Sequence, residues 1–133
     1  MSTITDTNGP DPIRENIKYN DFKERFELFK SKKPKELIGL LLMNQKFYSG
    51  IGNYLRSDIL YDANISPLKK LDKLTNKEIQ NLFKSIVKIM NWNYKMRKSG
   101  KGKFLIYKRK YTNKKEKVKT HKLKGRTVYF IKN

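Results

Sequence analysis

The stretch 49-SGIGNYLRSDIL-60 decides how the rest of the chain is read. Gly50 and Gly52 flank one isoleucine, and Asn53 follows where a helical pattern begins. Glycine tolerates φ > 0 and lets another backbone come close. Asparagine is favoured just before a helix. The spacing therefore predicts a tight turn made by both glycines, an N-cap at Asn53 and a helix over 53–63. The amides of a helix start, with the helix dipole, favour an anion, so the stretch reads as a phosphate clamp. A corner between two helices with no ligand is the competing reading, because glycine turns between helices are common.

Upstream, Asp21 and Glu24 have capping-box spacing. Phe22, Phe26 and Phe29 recur at helical intervals behind them, predicting a helix from there to about Ser31. Pro34 suits the first turn of a second helix, and residues 36–43 are apolar nearly all round, which predicts a buried helix. Downstream, Asn64 and Pro67 end the helix that Asn53 begins. Thr75 and Glu78 form another capping box, and Ile79, Leu82, Phe83, Ile86, Met90 and Tyr94 give the longest helix an apolar stripe as far as Ser99 and Gly100. Trp92 and Tyr94 read as core, and Tyr54 reads as packing against the next helix. Beyond a short apolar run at 104–107, residues 118–121 and 127–131 are β-prone and joined by a turn at 123–125, predicting a lysine-rich hairpin with His121 exposed.

Charge narrows the partner. The chain has 133 residues with 32 basic and 12 acidic side chains, a net charge of +20. Residues 95–133 hold 16 of the basic side chains and a single acid, Glu116. Such an excess points to a polyanion, DNA or RNA before an anionic membrane surface. The absence of cysteine excludes disulfides, cysteine-based zinc fingers and a thiol nucleophile, and His121 alone cannot build a histidine-rich metal site. No apolar run approaches the ~18 residues of a membrane span. No metal, no cofactor and no membrane partner is expected. The polar start, closing on 9-GPDP-12, reads as a tail or linker.

The run 41-LLMNQKFYSGIGNYLRSDILYDANISP-67 resembles the helix–two-turn–helix segment of the formamidopyrimidine-DNA glycosylase/endonuclease VIII family, with its leucine-rich helix, glycine turn and proline-ended corner. The 9-GPDP-12 segment resembles that family's interdomain linker, and 125-GRTVYF-130 resembles the second strand of its DNA-binding finger. Without cysteine, the finger is similar to the zincless one of the eukaryotic and viral endonuclease VIII-like branch. The resemblance implies a mainly α fold: a tail at 1–9, a helix–two-turn–helix domain at 10–102 and a zincless β-hairpin finger at 103–133. It also implies that Asn53 and Arg126 grip phosphates of double-stranded, damaged or abasic DNA, with Gly50, Gly52 and Lys124 beside them. An asparagine amide and a forked guanidinium suit phosphate oxygens. Asp58 departs from the family's usual glutamate, which puts one local contact in doubt.

Enzymes of that family start, after Met removal, with Pro-Glu, whose amine attacks the sugar and whose acid manages protons. Here Met1 is followed by Ser2 and Thr3. No catalytic residue is therefore assigned, and the resemblance implies the damaged-DNA-binding part of a base-excision-repair DNA glycosylase/AP lyase, acting inside the cell wherever the DNA is. Two other readings stay open. One is half of a split active glycosylase/AP lyase with a separate N-terminal catalytic domain. The other is an RNA-binding or ribosomal-type helix–two-turn–helix protein.

Overall fold

In the computed structural model, residues 9–99 and 104–131 are described. Helices α1 (Tyr19–Lys32), α2 (Ile38–Leu41), α3 (Asn53–Ala63) and α4 (Asn76–Ser99) precede an antiparallel hairpin, β1 (Lys119–Leu123) and β2 (Arg126–Phe130). A 3₁₀ turn at Leu71–Lys73 links α3 to α4. The fold is mainly helical with one small two-stranded sheet, as the sequence predicts.

α3 and α4 form the centre. Leu55, Ile59, Leu60 and Ala63 of α3 are buried with Ile79, Leu82, Ile86, Ile89 and Met90 of α4. Phe22 and Phe26 of α1 close this core with Phe47 and Tyr48, and the Phe22 ring stacks on Tyr48 at 5.8 Å between centroids. Burying each large side chain contributes roughly 1.5–3 kcal/mol, so this cluster supplies the apolar stabilisation that holds α3 in place. Burial within the core also pushes the Tyr48 hydroxyl up to about 12.

Local signals set several ends as expected. Thr75 Oγ1 accepts from the Glu78 N–H at 3.1 Å while the Glu78 carboxylate accepts from the Thr75 N–H at 2.9 Å, a reciprocal capping box. α3 stops at Asn64, which takes the left-handed conformation at φ 60°. The Ile65 N–H then bonds back to Leu60 O at 3.0 Å, as a helix end of this type requires.

Other expectations fail. α1 begins at Tyr19 with Lys18 as its N-cap, so Asp21 lies inside the helix and caps nothing. Only residues 38–41 of the apolar run 36–43 are helical. Pro34 lies in a turn before them, and Leu37 instead bridges Lys70, with Ile38 N–H bonded to Lys69 O at 2.8 Å. The run is buried because other segments close over it, not because it forms a continuous helix. At the other end of α4, Tyr94 is 59% exposed and Trp92 is half-buried, so Tyr94 is not core.

The linker-like segment is docked. Gly9 N–H bonds Gln45 O at 2.7 Å, and Pro10 O accepts from Ser49 N–H at 3.0 Å. Asp11 Oδ1 accepts from the amides of Ile13 and Arg14. The chain thus enters directly alongside the 45–49 loop that leads into the glycine turn.

Candidate nucleic-acid interface

Of the two glycines in the turn, only Gly50 has positive φ, at 91°. Gly52 has φ −90° and ψ 179°, extended backbone open to any residue, and it occupies the N-cap. Asn53 is therefore the first helical residue, and it makes no cap. The turn is braced by Gln45, a residue the sequence reading passed over. Its Oε1 accepts from Gly50 N–H at 3.2 Å and its Nε2 donates to Ile51 O at 3.3 Å. The first bond inside α3 runs from Arg56 N–H to Gly52 O, so the amides before it stand at the positive end of the helix.

The Asn53 side chain is released from capping to do something else. Its Nδ2 donates to Thr127 O of β2 at 3.0 Å. One turn on, Ser57 Oγ accepts from Tyr129 N–H at 3.0 Å. The hairpin register explains why these two residues serve. Leu123 pairs with Arg126 across a two-residue loop, His121 with Val128 and Lys119 with Phe130. In such a ladder the alternate residues, 127 and 129, turn their amides and carbonyls away from β1. Asn53 and Ser57, four apart on one helix face, satisfy that open edge. The side chains of Leu123, Val128 and Phe130 meanwhile pack against Leu37, Leu40 and Leu68. Hairpin and helix are one unit, held by strand pairing, apolar packing and this pair of side-chain bridges.

The tip of the hairpin is fixed by Lys124 at φ 50° and Gly125 at φ 81°, the backbone of a two-residue type I′ loop. Lys124 and Arg126 are exposed there. Arg126 comes within electrostatic reach of Arg56, whose guanidinium is fully buried. Arg56 Nη1 donates to Gly39 O at 2.9 Å and Nη2 donates to Asn53 Oδ1, while Nε has no partner in the structure. No carboxylate is among these partners. Burial and the neighbouring Arg126 pull the Arg56 guanidinium down to about 10. The structure thus brings Gly50, Gly52, Asn53 and Arg126 around the start of α3, while Lys124 sits exposed in the hairpin loop two residues before Arg126. It adds Arg56, an uncompensated buried cation, behind them. An anion at this point would meet the exposed Arg126 guanidinium and a helix start, with the buried Arg56 charge behind them and the Asp11 carboxylate beside Gly50.

Asp58 anchors the far end of the interface. Its buried carboxylate accepts the amides of Leu105, Ile106 and Tyr107 at 2.8, 3.0 and 3.2 Å. Burial pushes this carboxyl up, and the three amides and Arg109 pull the other way. The aspartate thus makes the local contact that its shortness put in doubt. Tyr54 packs edge-on against Phe104 and Tyr107, with centroids 5.5 and 6.2 Å away, rather than against the next helix alone. It also borders a cleft of about 770 Å³ with Asp11, Gly50, Met90 and Tyr94. His121 is exposed on β1, as expected.

Arg56, Ser57 and Asp58 are three consecutive polar residues, all buried, in a helix otherwise rich in apolar residues. That run was the available signal for a polar seam. What it could not reveal is that the partners lie 17, 72 and 47 positions away.

The family model for the formamidopyrimidine-DNA glycosylase H2TH domain matches residues 8–105. An endonuclease 8-like protein of Acanthamoeba polyphaga mimivirus is 36% identical over 69 residues, covering 50% of this chain and 25% of that protein. A formamidopyrimidine-DNA glycosylase of Prochlorococcus marinus is 27% identical over a 142-position alignment, covering 94% of this chain and 49% of the relative. Among solved structures, a viral DNA glycosylase superposes with a TM-score of 0.73 at 28% identity, over 86% of this chain and 45% of that one. The Lactococcus lactis formamidopyrimidine-DNA glycosylase, non-covalently bound to DNA containing an AP site, gives a TM-score of 0.81 at 25% identity, over 97% of this chain and 50% of that one. The chain spans about a quarter to a half of the length of these relatives.

Proposed function

The chain belongs to the formamidopyrimidine-DNA glycosylase/endonuclease VIII family, and from that premise we propose that it is the damaged-DNA-binding part of an endonuclease VIII-like DNA glycosylase/AP lyase. Its ligand is double-stranded DNA at a damaged or abasic site. The observation that carries this reading is the convergence of the α3 start, Asn53, Arg56 and Arg126 with no carboxylate among the Arg56 partners. Arg126 and Lys124 reach phosphate from the exposed tip. Asn53 fixes the tip relative to the helix and offers its remaining amide hydrogen. Arg56 adds charge from behind, and its unfavourable burial is relieved when an anion arrives.

On this reading the 133 residues grip DNA without excising a base by themselves. Excision needs an amine that is partly unprotonated at neutral pH beside an acid. Lysine amines ordinarily titrate near 10.4, and none at this site is paired with a carboxylate among the described residues. A separate catalytic domain would supply that chemistry.

The test is fluorescence anisotropy with an abasic duplex, an undamaged duplex of the same sequence and a structured RNA. Arg126→Ala and Asn53→Ala should each weaken abasic-duplex binding by about 1–3 kcal/mol. Arg126→Ala is the cleaner of the two, because Asn53 also braces Thr127. Lys115→Ala, at an exposed position of the 112–116 turn, should cost less. Equal losses for Lys115→Ala and Arg126→Ala would mean diffuse binding, and a preference for the RNA would overturn the reading.

A further inference from the structure

The hairpin has a second face. Leu123, Val128 and Phe130 point into the core, and Arg126, in step with Val128, sits toward Arg56. By strand alternation Thr120 and Tyr129 point the opposite way. There they line a cleft of about 540 Å³ with Lys108, Lys110, Tyr111 and Lys117. Its far wall is ordered backbone. Tyr111 and Lys117 form an antiparallel bridge, and Val118 N–H bonds Lys110 O at 2.9 Å.

Three features make this cleft more than a solvated charge run. First, no carboxylate lines it. Glu116, the single acid after residue 94, is turned onto the Tyr61 hydroxyl and Thr112 Oγ1, at 3.1 and 3.0 Å. Every ion pair among the described residues lies between positions 27 and 88, so these lysines have no carboxylate counter-ion among the described residues. Second, Tyr111 is 56% exposed at its edge. Third, the wall is rigid: Tyr129 meets Tyr107 edge-on at 5.3 Å, and Lys108 Nζ lies 5.6 Å from the Tyr107 ring centre.

We propose that this outer face binds unpaired, single-stranded DNA, with a base stacked on Tyr111 and backbone phosphates on Lys108, Lys110 and Lys117. An open aromatic ring beside cations is the combination that holds single strands. A duplex keeps its bases stacked inside and would leave Tyr111 with nothing to receive. The inference rests on the reading of the chain as a DNA-binding protein and extends it to a second site, on the side of the hairpin opposite Arg126.

The experiment titrates the full chain with labelled oligo(dT) and, separately, with a blunt abasic duplex. Tyr111→Ala should weaken oligo(dT) binding by about 5- to 150-fold, the loss of one base stacked on an aromatic ring. It should leave blunt-duplex affinity within about twofold, because Tyr111 is far from the tip in register. Arg126→Ala should do the reverse. Replacing Lys108, Lys110 and Lys117 together by glutamine should flatten the salt dependence for oligo(dT) by about 2 in slope. Unchanged oligo(dT) binding in Tyr111→Ala, with duplex binding intact, overturns this site while leaving the first reading standing. Equal losses on both ligands show one shared site and also overturn it. Failure of the wild-type chain to bind either DNA overturns both.

Discussion

Ser57→Ala isolates the joint between helix and hairpin. Ser57 is fully buried, and its hydroxyl accepts the Tyr129 N–H at 3.0 Å. Removing it leaves that strand-edge amide without an acceptor, at a cost of about 1–3 kcal/mol. The cost falls on docking of the hairpin, because α3 keeps its own helical bonds and its apolar contacts with α4. A lone two-stranded hairpin is only marginally stable in water, so an undocked hairpin also opens. Hydrogen exchange reads this directly. The Val128 and Phe130 amides, bonded across to β1 in the observed register, should lose about 5- to 150-fold in protection, the same energy expressed as a ratio. Amides in the middle of α4, such as those of Leu82 and Ile86, should keep theirs. The slope of DNA affinity against salt should stay as in wild type, since no phosphate contact is lost. Unchanged protection at Val128 would refute the claim that α3 side chains hold the strand edge, and a uniform loss across α4 would show a general defect instead.

Gly50→Ala, at φ 91° with Asp11 Oδ2 only 3.2 Å from the new methyl, should lower stability by about 1–2 kcal/mol. Gly52→Ala, in extended backbone, should cost clearly less, and urea midpoints compare the two. Asp58→Ala leaves three amides without their acceptor and should cost at least about 2 kcal/mol; a melting temperature within a degree of wild type would contradict the anchoring role. Burial alone would raise the Glu78 carboxyl, but the bonds from Lys69 and Thr75 lower it below the ordinary 4.5. Its contribution is therefore present above pH 4.5 and lost as pH falls through the lower folded value. The stability gap between wild type and Glu78→Gln should be open at pH 7 and shrink as pH falls below 4.5, and a gap constant with pH would refute the pairing.

Much of this architecture was legible in sequence wherever the controlling interaction is local. Asn64 ends α3 by its own tolerance of left-handed backbone, Thr75 and Glu78 cap each other across three residues, and Lys124-Gly125 makes a hairpin loop. The family resemblance implied that Asn53 and Arg126 share a site, and the fold brings the Asn53 side chain onto β2 at Thr127, next to Arg126. Reading failed where distant partners outbid local preference. Asn53 looked like a cap, but Thr127 and Arg56 claim its side chain. The apolar run 36–43 looked helical, but the backbone of 67–70 takes its amides. Arg56 carried no signal of its own in the sequence, and only the folded chain shows it buried behind Asn53 with no carboxylate among its partners. Tyr94 kept helical step with the apolar stripe after the core beneath it had ended, leaving it exposed beside the cleft.

The tip of the hairpin and the start of α3 are proposed to grip phosphate together. Measuring abasic-duplex affinity from low to moderate salt, for wild type and Arg126→Ala, decides it. If about 5 phosphates are neutralised, log K against log salt should slope near −4 to −5, and Arg126→Ala should reduce that slope by about 1 while weakening binding. A wild-type slope flatter than about −2, or an Arg126→Ala slope equal to wild type, would place the bound phosphates somewhere other than this site.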